Sequence, residues 1–449
     1  MSVIFFSLKG IHFSNIISFF LHVEYSNIYI VRKEEKMFSN LNPLIRNRLI
    51  ISFMSKAGAS MLLPFIAIYY TRELNAYWAS MFIIITTIIQ FISGLYGGYK
   101  TDLIGRKKLM VIGELIKLVC FLLMVFQFSP YIMFLLVSTI SCAQGIINPT
   151  GEAMLVDLCD EQNRARILSL NYWVTNLSIM IGTIVGGWLF NSQFIILIIL
   201  FLNSVVISWI TIFKIKETFA KIERKEEGFN IVNVFSTYKF VLSDKCYLYY
   251  TIGSILILGV ELQRNNLISI HLAKNITPFL QKLIFGLHTT IDGVKILSIL
   301  TTINTIIIIF GTPFVISWMK TTRIKPFITY GILSFSLGYS VLAYTTDLLL
   351  LFIAILFISV GELFHAPAKQ AILADVIDLN NKGSYMAISG INFQVAKIIG
   401  AVFIFISTFS NELIISIYIF LLGVIGLTFI LLSIKLNEEK IKSIGDEVI

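Results

Sequence analysis

The sequence is poor in charged residues and in cysteine. Only 14% of its 449 residues are charged, whereas a soluble domain usually contains about 25%. The cysteines show neither the spacing of metal ligands nor that of a disulfide framework; they are Cys120, Cys142, Cys159 and Cys246. These deficits exclude a soluble globular protein and argue against a cysteine-based metal site.

Two motifs are also missing, and each absence narrows the function. The chain has no Gly-Lys-Ser/Thr loop of the Walker type, so we do not expect bound ATP to supply energy. It has no basic patch interleaved with aromatic residues, so no nucleic-acid partner is predicted. We predict neither a cofactor nor a metal, and the net charge of +9 points to anionic membrane lipids.

What the chain has instead is a succession of long apolar segments. Hydrophobic residues make up 57% of the sequence, and a helix needs about 20 of them in a row to cross a bilayer. Twelve spans are predicted, at 48–71, 79–99, 108–128, 131–157, 167–190, 194–213, 246–271, 294–318, 326–345, 348–374, 385–409 and 411–434. The predicted fold class is an all-α membrane protein with twelve transmembrane helices.

Positive charge alternates between the connections of these spans. Lys and Arg cluster in every second connection, for example at 106–108 and 320–325, and are scarce in the others. Because positive loops stay in the cytoplasm, both termini are predicted to be cytoplasmic. We therefore expect a multi-pass protein of the cell membrane, and we predict a monomer.

The predicted organisation has five parts. They are an N-terminal segment 1–47, a first six-helix half 48–213, a cytoplasmic linker 214–245, a second half 246–434 and a cytoplasmic tail 435–449. Within the first part, 3–31 is apolar but interrupted by charges, and it lacks a small-residue cleavage site. We favour Met37 as the natural start of the protein, and the alternative is an interfacial helix before it.

The connection between the second and third spans carries the most informative motif. It reads Gly98, three residues, Asp102, two residues, Gly105, and then Arg106 and Lys107. Gly98 lets a neighbouring helix approach closely, and Gly105 permits a tight reversal. Asp102 is placed to accept hydrogen bonds at the N-terminal end of a neighbouring helix, and the basic residues can pair with it.

This spacing resembles the signature loop of the major facilitator superfamily, and the resemblance covers about residues 40–435. It implies two pseudo-symmetric six-helix halves with a substrate site between them, and a loop that gates transport. It also implies a second charge cluster that pairs with the loop. The predicted conformational gate consists of Gly98, Asp102, Gly105, Arg106, Lys107, Asp157 and Arg164.

An internal repeat supports the two halves. At an offset of 218 residues, Pro149 meets Pro367 and Asp157 meets Asp375. Parallel halves of this kind place the substrate and coupling-ion sites near the bilayer midplane. The signature loop is not repeated, because Lys320 stands opposite Asp102.

The fifth span resembles the glycine-rich motif of family members that act as antiporters. Gly182, Gly186 and Gly187 match it, although a serine and a threonine replace two of its residues. The spacing of Gly182 and Gly186 would also serve helix packing alone. Ser141 is a further departure, since drug antiporters have an intramembrane arginine there.

Four ionisable residues inside the spans are candidates for binding substrate or protons, because charges in a membrane are costly and usually functional. Glu261 and Arg264 lie three apart in span seven, so they share a helix face. Glu362 lies midway along span ten, and Lys397 midway along span eleven. The alternatives are a structural ion pair for the first two and a snorkelling side chain for Lys397.

The resemblance implies a secondary active transporter, with no catalytic residues. Within the superfamily the motifs are most similar to those of bacterial multidrug-efflux members. We therefore expect export of small amphipathic, drug-like compounds by proton antiport, with alternating access. An importer or a lipid-type flippase on the same fold is the alternative, and a membrane-embedded enzyme is a remote one.

Overall fold

The computed structural model describes residues 41–159, 164–218, 241–282, 288–319, 324–377 and 382–447. The predicted gate residues Gly98, Asp102 and Arg164 have helical backbone, but their side chains lie outside the described part. The segment before residue 41 and the linker over 219–240 lie outside it as well.

The first half of the chain forms six helices. They are α1 Pro43–Glu73, α2 Ala76–Ile104, α3 Arg106–Met124, α4 Pro130–Asp157, α5 Arg164–Leu189 and α6 Gln193–Phe213. Asn42 and Asn75 begin α1 and α2, because each side chain accepts a hydrogen bond from a backbone N–H of the first turn. The third helix ends at Met124, four residues before the predicted end of its span.

The second half forms seven helices and a hairpin. The elements are α7 Lys245–Leu262, α8 Ser269–Asn275, β1 Phe279–Lys282, β2 His288–Ile291, α9 Gly293–Met319, α10 Ile324–Tyr344, α11 Leu348–Val376, α12 Lys382–Ile406 and α13 Glu412–Glu447. A π-helical turn over Arg264–Ile268 separates α7 from α8, where the sequence predicted one uninterrupted helix. The last helix runs to Glu447, well past the predicted end of the twelfth span at 434.

Ten helical segments in the described part of the chain are long and apolar enough to cross a membrane, with Lys245–Asn275 counted as one. Two further helices, α3 and α5, have a similar length and pack in the same bundle. Helix α3 packs against α4 and α6, and helix α5 packs against α1. Charges such as Glu114 and Lys117 lower the hydropathy of α3. The expected all-α membrane fold is confirmed.

The helix boundaries reproduce the sequence repeat. Adding 218 to the first residues of α3, α4 and α5 gives 324, 348 and 382, which are the first residues of α10, α11 and α12. The packing partners repeat as well. The pairs α1–α5, α2–α4, α3–α4 and α3–α6 correspond to α7–α12, α9–α11, α10–α11 and α10–α13. Each half is therefore the same bundle of six membrane passes.

Because successive helices alternate in direction, their connections lie at two ends of the bundle. We call the end with the α2–α3 and α4–α5 connections and the start of the linker the linker end. The opposite end, with the β1–β2 hairpin, is the hairpin end. In the hairpin, four residues of each strand pair antiparallel, and Lys295 Nζ anchors it through the carbonyl oxygen of Thr290 at 2.5 Å.

The glycines of α5 allow this helix to lie very close to α1. A Cβ added at Gly186 would stand 2.5 Å from the carbonyl oxygen of Met61 and 2.8 Å from Phe65 Cε2. At Gly182 an added Cβ would be 2.9 Å from Ser60 Cβ. Within the first half, these two residues therefore act as packing glycines.

We predict that Gly186→Ala lowers the stability of the folded protein, whereas Gly390→Ala does not. The new methyl group at position 186 would force α1 and α5 apart, at a cost of about 1–3 kcal/mol. At Gly390 on α12 an added Cβ meets no atom within 4 Å, so that substitution gains only helix propensity. The measurement is the melting temperature of each purified variant in detergent. Equal melting temperatures would contradict the packing role.

Candidate functional site

The two halves are joined at the hairpin end and as far as the middle of the bundle. In the part of the chain that the structure describes, four hydrogen bonds cross between the halves. They are Ser80 Oγ to the Ala401 carbonyl at 2.7 Å, Ser298 Oγ to the Thr183 carbonyl at 2.5 Å, Asn191 Nδ2 to Asp292 Oδ2 at 3.2 Å and Lys397 Nζ to Gln90 Oε1 at 3.1 Å. We call this set of contacts the seam.

Gly187 belongs to the seam, although its neighbours in the motif do not. A Cβ at this position would lie 2.6 Å from Ser298 Cβ on α9, across the boundary between the halves. The three glycines predicted as one packing motif therefore have two roles. Gly182 and Gly186 pack within the first half, and Gly187 packs between the halves.

Lys397 is the deepest member of the seam. It lies on α12, half-buried, and donates to Gln90 near the centre of α2. Among the described residues, no carboxylate forms an ion pair with it. An amide oxygen thus compensates this cation in part, and the bond fastens the halves at mid-depth.

Glu362 lies on α11 in the interior of the second half. Asn304 Nδ2 of α9 donates to Glu362 Oε2 at 3.0 Å, and Ser359 Oγ donates to Asn304 Oδ1 at 2.8 Å. The Ser359 hydroxyl thereby fixes the orientation of the amide, so that its N–H group points at the carboxylate. Glu362 keeps part of its surface accessible although protein surrounds it.

Several charged groups act on Glu362 electrostatically. Glu261 of α7, Arg264 of the π-helical turn and Lys369 of α11 all do so. Tyr172 of α5, in the other half, interacts with Glu362 and Glu261 and is 55% exposed. We call the region around these five side chains, four from the second half and Tyr172 from the first, the chamber.

The structure brings Glu261, Arg264 and Glu362 together but does not pair the first two. Within the described residues, no ion pair joins the Arg264 guanidinium to Glu261 or Glu362, and its Nε has no hydrogen-bond acceptor. The prediction of a shared helix face assumed regular α-helix. A π-helical turn begins at Arg264 and changes the direction of the side chain.

Sequence reasoning missed three residues of this region. Lys369 follows Glu362 by seven residues, which is two helical turns, so the spacing could have revealed it. Tyr172 carries no charge that would mark it in an apolar span. Tyr339 on α10 is fully buried beside Arg264, and its hydroxyl also has no partner.

Arg48 is a charged residue outside the chamber that was not predicted either. It lies inside α1, and its Nε donates to the Gly151 carbonyl at 3.0 Å.

A second group of residues is assembled at the linker end. Arg106, at the start of α3, forms an ion pair with Asp157 at the end of α4. Arg106 Nη1 also donates to the Ala153 carbonyl at 2.7 Å, and Thr218 Oγ1 donates to Asp157 Oδ2 at 3.1 Å. Asp157 therefore connects the signature loop to the first residues of the linker.

Glu217 is a member of this group that the sequence did not reveal. Its two carboxylate oxygens accept from the backbone N–H groups of Arg106 and Lys107, each at 3.0 Å. The carboxylate thus caps the N-terminus of α3, where the helix dipole favours a negative charge. Gly105 has φ +100°, and a Cβ there would stand 2.8 Å from Glu217 Oε2. We call Gly105, Arg106, Asp157, Glu217 and Thr218 the linker-end cluster.

An apolar cavity lies apart from the chamber, within the first half and toward the hairpin end. Phe65, Tyr70, Met124, Met133 and Leu197 are among its lining residues. None of the lining residues is charged. The cavity consequently offers no group that could carry a proton, and the chamber is the better candidate for the functional site.

Comparison with known proteins agrees with this architecture. A family model described as Major Facilitator Superfamily matches residues 48–273. The chain is 24% identical over 375 residues to a Na(+), Li(+), K(+)/H(+) antiporter of Planococcus maritimus, covering 80% of this chain and 88% of the relative. It is 23% identical over 404 residues to the multidrug resistance protein MdtH of Yersinia enterocolitica, covering 86% and 92% of the two chains.

Solved structures of the same fold are similar over almost their whole length. A POT family transporter in complex with 5-aminolevulinic acid superposes with a TM-score of 0.69 at 12% identity, covering 88% of this chain and 96% of the other. A variant of the nucleoside transporter NupG gives a TM-score of 0.63 at 17% identity, covering 87% and 99%. The family model spans half of the sequence, and the chain therefore belongs to the Major Facilitator Superfamily of membrane transporters.

Proposed function

We propose that the protein is a secondary active transporter that exports small amphipathic compounds in exchange for protons. The observation that carries this proposal is the chamber, in which the Glu362 carboxyl accepts a hydrogen bond from Asn304, its one donor among the described residues. Such a carboxyl can hold a proton while the chamber is free of substrate. A positive group that binds beside it favours the ionised form, and this competition couples the two fluxes.

The seam supports an alternating-access cycle. The halves are fastened at the hairpin end, so in this conformation the chamber is closed on that side. Opening it there requires the loss of the Lys397–Gln90 and Ser298–Thr183 bonds. The proposed cycle replaces these bonds by contacts between the halves at the linker end, as one half rocks against the other.

In this cycle the linker-end cluster acts as the gate. Its ion pair and its helix cap hold the starts of α3 and the linker against the end of α4. The cluster is far along the bundle from the chamber, so it sets the rate of conformational exchange and does not touch the substrate. Asp102 belongs to the same proposal through the resemblance of the signature loop.

Two relatives support the antiport direction. The relatives from Planococcus maritimus and Yersinia enterocolitica carry the names of an antiporter and of a multidrug resistance protein. Both align with at least 80% of this chain. The two solved structures show the fold only, since they are 12% and 17% identical to this chain.

Exchange of monovalent metal ions for protons is a second candidate. The name of the Planococcus maritimus relative favours it, and Glu261 and Glu362 offer the carboxylate oxygens that hard cations prefer. Arg264 and Lys369 act against it, because they place two positive charges in the same chamber. Proton flux driven by Na⁺ or K⁺ without any organic compound would favour this second function.

We predict that Glu362→Gln abolishes export driven by a pH gradient but permits exchange of substrate for substrate. Glutamine resembles the protonated carboxyl and cannot release a proton. The measurement is substrate and proton flux in proteoliposomes, with a compound first identified by screening cationic, neutral and zwitterionic candidates on the wild type. Glu438→Gln is the matched control, since Glu438 is an exposed acid paired with Lys325 outside the chamber. Normal substrate-dependent proton flux in Glu362→Gln would refute the assignment.

We also predict that Asp157→Asn and Glu217→Gln slow transport without weakening substrate binding. Each removes one charge that, in this proposal, stabilises the transition state between the two conformations, and a barrier raised by about 1.4 kcal/mol slows the exchange about tenfold. Glu438→Gln again serves as control, as an acid at the linker end of the second half. The measurement compares turnover in proteoliposomes with equilibrium binding. Weaker binding combined with normal turnover would show that the cluster does not gate.

A further inference from the structure

Proton exchange at Glu362 leaves two residues of the chamber without a role. A proton carrier requires one carboxyl group, yet the chamber also contains the cations Arg264 and Lys369. A charged side chain at this depth costs several kcal/mol unless it is compensated. These cations are therefore the feature of the chamber that remains to be explained.

Arg264 is held in place but lacks a partner. The π-helical turn that contains it packs against α1 of the other half. Its Nε is enclosed without an acceptor, and no hydrogen bond or ion pair occupies its terminal nitrogens within the described residues. Those terminal nitrogens are absent from the enclosed atoms, so a ligand can reach them. A guanidinium group presented in this way matches the geometry of a carboxylate.

Tyr339 lies beside Arg264 and lacks an acceptor too. The two groups interact electrostatically, and the Tyr339 hydroxyl is fully buried without a hydrogen-bond partner. Arg264 and Tyr339 are thus two neighbouring hydrogen-bond donors without an acceptor. The acceptor that would suit both is a negatively charged oxygen atom of a ligand. Lys369 adds a second positive charge to the same region.

The carboxylates supply the opposite half of the site. Glu261 and Glu362 interact with Arg264 and Lys369 electrostatically, yet none of these four side chains forms an ion pair with another among the described residues. With every group ionised, the chamber carries two negative and two positive charges. A compound with a single positive charge would give Arg264 no anionic partner. A compound with a single negative charge would be repelled by the carboxylates of Glu261 and Glu362.

We propose that Arg264, with Lys369 and Tyr339 beside it, forms a carboxylate subsite, and that the compound bound in the chamber is a zwitterion whose amine faces Glu261 and Glu362. This inference deepens the proposed function and rests on it for the direction of transport. The subsite determines which charge form is bound, whereas Glu362 couples binding to protons.

The test uses three probes with the same phenyl body. Phenylalanine is the zwitterion, 2-phenylethylamine has the amine alone, and 3-phenylpropionate has the carboxylate alone. Binding to the purified protein in lipid nanodiscs is measured by isothermal titration at one pH, with no gradient. We expect the wild type to bind phenylalanine at least about tenfold more tightly than either of the other probes, since both charges are matched only by the zwitterion. Tighter binding of the amine or of the acid than of phenylalanine, equal binding of all three probes, or no binding of phenylalanine would overturn the proposal.

Reciprocal variants separate the subsite from a merely structural role. Arg264→Gln should weaken phenylalanine binding at least about tenfold and strengthen 2-phenylethylamine binding, because it removes the repelling cation. Glu261→Gln should weaken phenylalanine and strengthen 3-phenylpropionate. Lys435→Gln is the control, since Lys435 is an exposed lysine outside the chamber. A misfolded variant would lose the binding of all three probes together. In that case Arg264→Lys, which keeps the positive charge, is the deciding variant. The proposal predicts that it retains part of the preference for phenylalanine over the amine and the acid.

The outcomes distinguish this inference from the proposed function. Binding is measured without a pH gradient, so a protein that binds phenylalanine through Arg264 but moves no protons would support the subsite and refute antiport. A protein that exports an amine in exchange for protons, with the same affinities after Arg264→Gln, would support antiport and refute the subsite.

Discussion

The structure depends on how each charge inside the membrane is compensated. Arg48 donates to a backbone carbonyl, and Lys117 pairs with Glu114 at 3.1 Å within α3. Lys397 relies on an amide of the other half. Because an uncompensated charge is unstable in this environment, all three are paired, and the bonds of Arg48 and Lys397 also fix one helix relative to another. Arg264 departs from the pattern, and its lack of a partner among the described residues makes the chamber the place where a ligand would complete the structure.

The two ends of the bundle are built differently. At the hairpin end, a few single hydrogen bonds and the close approach of Gly187 to Ser298 join the halves. At the linker end, charged groups of the first half and the linker bind to one another through Arg106 and Asp157. A single hydrogen bond contributes only about 1–3 kcal/mol net, because other partners replace the one that is lost. A conformational change between the halves therefore requires little energy, while the first half stays intact.

Much of the fold was predictable from the sequence, and the reasons are physical. Apolar runs mark membrane helices directly, so the predicted starts of α4 and α6 differ from the observed ones by a single residue. The π-helical turn at Arg264 was not predictable, because a π-helical turn and an α-helical turn of the same residues have the same hydropathy. Glu217 was missed for another reason. It lies over a hundred residues from the helix that it caps, and only the folded chain brings them together.

The central claim is that substrate and proton compete for the chamber through Glu362. Proton release on binding tests it most directly. Phenylalanine is added to the protein in nanodiscs in a weakly buffered solution with a pH indicator, at a pH where the free protein holds the proton. The account predicts the release of about one proton per molecule bound by the wild type and none by Glu362→Gln. Binding without proton release by the wild type, or equal release by both proteins, would contradict it.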